Sequence, residues 1–234
     1  MKVLAFDTAT EACSAALWLD GEICERYEVA GREHTQRLML QVSALMTDAG
    51  LRFNQLDGIA CGIGPGSFAG VRIGVGYAKG LALALDVPVV GVSSLAMLAL
   101  RALRETNAEQ VLAAIDARLN EVYFGAYQRS ASGLVEKIAL EIVCTLDAVP
   151  IYEGASVIAA GSGWATYRER LSQATQAKIL SCLPDALPHA EDALRLALPQ
   201  FKAGQSINAD DLVPAYLRDK VALTLVEQMA LRKS

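Results

Sequence analysis

The chain has 234 residues, 53% of them hydrophobic and 20% charged, with 21 basic against 26 acidic side chains and a formal net charge of −5. That size and balance exclude a disordered chain and leave room for one large domain or two small ones. The negative charge argues against autonomous nucleic-acid binding, which needs a concentrated basic face. The local basic pairs Arg101/Arg104 and Arg168/Arg170 have acidic neighbours and read as solvated helix faces.

Val3-Leu4-Ala5-Phe6 reads as a buried strand that ends in the turn Asp7-Thr8-Ala9-Thr10. Strands at Ser14–Leu19 and Ile23–Val29 follow, separated by the turn Asp20-Gly21. Residues 34–49 fit a helix, because Leu38, Val42, Leu45 and Ala49 form one stripe and Gly50 closes it. Met39, Leu40 and Met46 widen its apolar surface beyond what one buried face requires. Leu56–Cys61 is a strand that enters the glycine-rich stretch 62–80, where Gly62, Gly64 and Gly66 flank Pro65 and force a sharp turn. Ser67 then caps a helix carrying Gly70, Gly74, Gly76 and Gly80. Each helical glycine costs about 1 kcal/mol relative to alanine, so four predict the close approach of another backbone, in the same chain or a partner.

Pro88–Val92 as a strand and Ser94–Arg104 as a helix complete a βββαβαβα first half, an α/β arrangement with a mixed sheet. The polar run 105–109 marks a boundary. Beyond it, Val111–Ile115, Glu121–Gln128 and Val157–Ala160 read as strands, with Asp116–Asn120 as the first turn. Gly161-Ser162-Gly163 leads into a helix near Trp164, residues 189–203 look helical up to or through Pro199, and an amphipathic helix follows Pro214–Arg218 in the tail Val213–Arg232. Both halves open on a strand ending in an aspartate-containing turn, an echo that suggests two related lobes.

Few residues assemble into recognisable chemistry. The five cysteines lack paired spacing for metal or redox work. His34 and His189 are the only histidines, and neither has a partner at helical ligand spacing. The Gly62–Gly66 loop lacks the Gly-Lys-Ser/Thr of a Walker loop, and Gly-Pro-Gly-Ser-Phe-Ala fails as a nucleophile elbow at Ala69. Asp7 with Thr8, Thr10 and Ser14 could offer a phosphate hydroxyls and amides and a metal a carboxylate; a plain hydrogen-bonded strand end is the simpler reading. The opening residues, with Asp7 and Glu11, do not read as a secretory signal, and the apolar run Val71–Leu85 holds Arg72 and Lys79 and is short for a membrane span. A soluble, cytoplasmic protein with no membrane partner is expected.

Val3–Thr10, Gly64–Gly74, the pattern Asp116-Ala117-Arg118-x-x-Glu121-Val122-Tyr123 and the late Pro214–Arg218 together resemble the TsaB (YeaZ) family, across most of the chain. The resemblance implies a two-lobed actin/Hsp70/sugar-kinase-like α/β fold, with an N-terminal partner-binding lobe at 1–106 and a C-terminal lobe at 107–234. It also implies a part in making threonylcarbamoyladenosine in tRNA, as the non-catalytic partner of TsaD, with the ATPase TsaE joining the assembly. TsaD-like proteins carry Gly-Val-Asn-His-Met-Glu-Gly-His, whose histidines bind the catalytic metal. The matching run here is Gly91–Leu98, with Ser94 and Leu98 at the ligand positions, so no metal site and no catalysis are expected.

By the same resemblance no cofactor is bound by this chain alone, ATP or ADP enters at the level of the complex, and tRNA is touched only indirectly; helix–helix burial at the partner interface also supports a homodimer in isolation. The helices at 34–49 and 69–85 are the expected interface, through His34, Leu38, Val42, Leu45, Met46, Phe68, Gly70, Ile73, Gly74 and Tyr77. Leucine at Gly74 is expected to break the association and spare the monomer. Asp7, Thr8 and Thr10 are candidate remnants of a nucleotide site, since the superfamily's Asp-x-Gly-Thr turn appears here as Asp7-Thr8-Ala9-Thr10; Arg118, in a turn beside Asp116 and Glu121, is a further candidate, with a structural salt bridge as the alternative. An autonomous nucleotide-binding phosphotransferase is the competing reading, and a metallopeptidase, with two histidines to draw on, a weaker one.

Overall fold

Two mixed sheets of the same connectivity carry the fold. The computed structural model describes residues 1–31 and 33–218, so the expected tail helix through Arg232 lies largely outside the described residues. In the first sheet β1 (Val3–Asp7) lies centrally, antiparallel to β2 (Ala12–Leu19), which pairs with β3 (Glu22–Val29) at the edge. On its other side β1 runs parallel to β4 (Gly58–Gly64), and β4 parallel to β5 (Val89–Ser93). The second sheet repeats this plan. Its β6 (Gln110–Arg118) pairs antiparallel with β7 (Glu121–Arg129), while β10 (Ser156–Ala160) runs parallel to β6 and β11 (Lys178–Leu183) parallel to β10. Two short strands, β8 (Val135–Lys137) and β9 (Ile142–Thr145), both pair with β7.

The helices sort onto the sheet faces in five layers. Every residue of β1 is buried, and Val3–Phe6 reads as a continuous apolar run, as a strand covered on both faces does, before the strand ends at Asp7. Leu4 and Phe6 face α1 (His34–Asp48) and α2 (Phe68–Leu85), while Val3 and Ala5 face α5 (Ala190–Lys202). In the second sheet Val111, Ala113 and Ile115 face α3 (Ser94–Glu105), and Leu112 and Ala114 face α4 (Ser162–Thr175) with Trp164 and Leu171. The order is therefore α1/α2, first sheet, α3/α5, second sheet, α4.

The middle layer crosses the sequence division at residue 106. Helix α3 comes from the first half but packs mainly on the second sheet, and α5 comes from the second half but packs on β1, β2, β4 and β5. Gly58 makes the room for this, since a Cβ there would stand 2.6 Å from the Phe201 ring. Pro199 sits in the last turn of α5 without ending it. Helix α2 begins at Phe68 and spans 18 residues with a mean hydropathy of 1.3, so its length alone does not exclude a membrane span. Its inward stripe Gly70, Val71, Gly74, Val75, Ala78 and Ala82 packs on β4 and β1 as a core helix does.

Candidate functional site

The glycine segment after β4 closes over the turn after β1. A cis peptide bond at Gly64-Pro65 turns the chain, and Ser67 caps α2 by accepting from Gly70 N at 3.0 Å. The Ser67 amide donates to Ala9 O at 2.7 Å, and Thr8 Oγ1 donates to Gly70 O at 2.7 Å. A Cβ at Gly66 would lie 2.1 Å from Ala9 O, one at Gly70 2.1 Å from Thr8 O, and one at Gly74 2.8 Å from Thr8 Oγ1. These glycines let one piece of this chain touch another piece of it. Gly76 and Gly80 are exposed, and a Cβ at either would meet nothing within 4 Å among the described residues.

Beneath this cover, Asp7 is fully buried. Its Oδ1 accepts from Ala9 N at 3.1 Å, whereas Oδ2, lying over Gly62, has no hydrogen-bond partner among the described residues. Burial raises its carboxyl to about 6, against the opposing pull of the Ala9 amide, the nearby Ser94 hydroxyl and His189. Ser94 Oγ, also fully buried, lies near Asp7 but makes no hydrogen bond of normal geometry among the described residues. Leu98, at the second position where TsaD-like proteins place a ligand, is 1% exposed and belongs to the α3 core.

A cleft of about 350 Å³ opens between the lobes above the covered turn. Thr10, Pro65, Ser67, Phe68 and Arg72 line it from the first lobe, and Asp116, Arg118 and Tyr123 from the second. Arg118 is held by its own hairpin, its amide donating to Asp116 Oδ1 at 2.8 Å and its guanidinium to Oδ2 at 3.1 Å. Of the four candidate nucleotide residues, the structure brings Thr10 and Arg118 to the cleft wall and leaves Asp7 and Thr8 sealed below it.

The expected interface divides into two sets. Leu38, Val42, Leu45 and Met46 are 0–4% exposed and pack against the first sheet, so this stripe faces the chain's own core and no partner can reach it. His34 is likewise buried, its Nε2 2.8 Å from Thr10 O. Gly70 and Gly74 face Thr8, as described, which corrects both their assignment to a partner surface and the expectation that leucine at Gly74 would spare the monomer. Tyr77 is half-buried, its ring edge-on to Phe6 at 5.3 Å, and Ile73 is half-buried. Phe68 remains exposed, joined by Met39, Leu40 and Leu83, which the periodicity did not single out as contact residues. Met39 and Leu40 were legible as surplus apolar surface on α1; Leu83 was hidden within a uniformly apolar run.

The family model for TsaD, the tRNA N6-adenosine threonylcarbamoyltransferase, matches residues 27–225. The tRNA threonylcarbamoyladenosine biosynthesis protein TsaB of Escherichia coli (strain K12) is 40% identical over 227 residues, covering 95% of this chain and 96% of that one. Its counterpart in Haemophilus influenzae is 41% identical over 229 residues, with 94% and 95% covered. The solved structure of YeaZ from Pseudomonas aeruginosa superposes with a TM-score of 0.86 at 44% identity, over 92% of this chain and 99% of that chain. The paired sheets, the crossed middle helices and the interlobe cleft are thus those of the two-lobed actin/Hsp70/sugar-kinase-like fold, and the chain belongs to the TsaB (YeaZ) family.

Proposed function

We propose that this chain is a non-catalytic subunit in tRNA threonylcarbamoyladenosine biosynthesis that pairs with TsaD, activates it and recruits TsaE. The relatives that align over more than nine-tenths of the chain carry that pathway in their names. The observation that supports a non-catalytic role is the sealed turn. Of the groups a phosphate and its metal would need, Thr8 spends its hydroxyl on Gly70 O, and Asp7 lies fully buried beneath Gly62, its Oδ1 held by the Ala9 amide. Leu98 offers no donor for a metal, which disfavours a peptidase.

Association with TsaD is assigned to the outer face of α1 and α2, where Met39, Leu40, Phe68 and Leu83 are each more than half exposed and Gly76 and Gly80 let a partner helix approach. The same face serves a homodimer when TsaD is absent. Nucleotide enters with the complex, and tRNA meets the partner rather than this chain. The cleft lined by Thr10, Arg72 and Arg118 keeps one alternative in view, an autonomous nucleotide-dependent phosphotransferase. Calorimetric titration with Mg-ATP separates the two, since tight binding with turnover belongs to the phosphotransferase alone.

Reconstituted tRNA modification with TsaD, TsaE and the threonylcarbamoyl-adenylate-forming enzyme tests the proposal. Modification is expected to require this chain. The double variant Met39→Glu/Leu83→Glu is expected to lose both co-purification with TsaD and modification while its melting temperature stays within a few degrees of wild type. Full modification without the chain sinks the subunit role, and unchanged co-purification of the variant sinks the interface.

A further inference from the structure

The segment Leu212–Arg218 follows the 3-10 turn Ala209–Asp211 and passes from the first lobe to the second along the wall of the cleft. Its start is fixed on the first lobe. Leu212 is buried in the core under α2, and Lys79 Nζ donates to Asp210 O at 3.0 Å and to Leu212 O at 3.2 Å. Further along, Ala215 N donates to Ile63 O at 2.8 Å. Arg72 donates to the Tyr216 hydroxyl at 3.1 Å while its guanidinium lies 3.3 Å over the Phe68 ring.

Its end is fixed on the second lobe by one side chain. Arg218 donates to Ala117 O at 3.0 Å and pairs with Glu121 Oε2, both at the β6–β7 hairpin that forms the far wall of the cleft. Among the described residues, every hydrogen bond from this segment to the second lobe comes from that guanidinium. Guanidinium on carboxylate and carbonyl together gives a directional tie, and one that a change at a single residue releases. Among the described residues, the chain otherwise crosses between the lobes at the packed α3/α5 layer, whose helices are held by core contacts along their length.

We propose that Leu212–Arg218 is an interlobe latch, anchored on α2 and β4 and closed by Arg218 onto Ala117 and Glu121, and that it sets how far the cleft opens. Hydrogen–deuterium exchange on the full chain tests this. In Arg218→Ala, exchange is expected to quicken roughly tenfold in two places, the Asp116–Val122 hairpin and Ile63–Phe68 across the cleft, which the Arg218 side chain does not touch. Glu121→Gln, nearly isosteric, should give the same pattern at smaller amplitude and carries the test if Arg218→Ala fails to fold. Arg218→Glu combined with Glu121→Arg should bring exchange back toward wild type. Quickening confined to residues 212–218, or none at all, overturns the latch.

Discussion

At Asp7 a carboxylate sits without solvent and with one oxygen unpaired among the described residues, a combination that makes stability depend on pH. Burial raises its folded value from 3.8 to about 6, so the folded state holds the proton more tightly than the unfolded chain across that interval. The stability it lends is therefore fully present below the unfolded value, is lost as pH climbs toward about 6, and changes little above. The span corresponds to about 3 kcal/mol at most. Asp7→Asn keeps an acceptor for the Ala9 amide and removes the titration. In urea unfolding, the variant should gain on wild type from pH 4 to pH 6.5 and hold a constant lead beyond; a lead that does not vary with pH would mean that Asp7 ionises as an exposed carboxylate does.

Helix α2 carries two opposite uses of glycine on two faces. Inward, Gly70 admits the Thr8 carbonyl, and Gly70→Ala should cost about 2–3 kcal/mol because backbone, not a flexible side chain, stands in the way. Outward, Gly76→Ala meets open space and should raise stability by about 0.5–1 kcal/mol through helix propensity. Thermal melts of the two variants should move in opposite directions. Existence of the helix, its serine cap and its need for close approach were all legible in the sequence. Which glycine faced what was not, because spacing alone does not say whether a stripe meets its own sheet or a partner. The stripe Leu38, Val42 and Leu45 on α1 was open to the same misreading. Strands β8, β9 and β11 were illegible for a different reason: β8 and β9 are short, and none of the three has a fully buried position to mark a period of two.

At the scale of the molecule, the α3/α5 layer joins the halves through charge as well as apolar contact. Arg104 on α3 donates to Asp192 Oδ1 and Glu191 Oε1 on α5, each at 2.6 Å. Burial pushes Asp192 up to about 6 despite this ion pair, whereas for Arg104 burial works against the charge and Glu191 and Asp192 outweigh it. The two ends differ because Asp192 is wholly enclosed, its Oδ2 without a partner among the described residues, while Arg104 stays 29% exposed. Arg104→Ala should therefore cost about 3 kcal/mol at pH 7.5, where a lone buried carboxylate remains, and clearly less at pH 5, where it takes up a proton. Equal costs at both pH values would show that Asp192 is not the group that suffers. The doubling of the sheet plan was foreshadowed by the aspartate turn in each half. The exchange of helices between halves was not, since nothing local to α5 says which sheet it covers.

That exchange has a consequence for how the chain is made. The last strand of the first sheet ends at Ser93, but the helix that covers its inner face begins at Ala190, about 100 residues later. At a synthesis rate of about 5–20 residues per second, Val3, Ala5, Val90 and Val92 wait roughly 5–20 s for their covering helix. A nascent chain paused in that interval presents a bare apolar sheet face to its surroundings, a natural client for a holding chaperone. A ribosome that stalls before α5 releases a product whose first lobe lacks one wall.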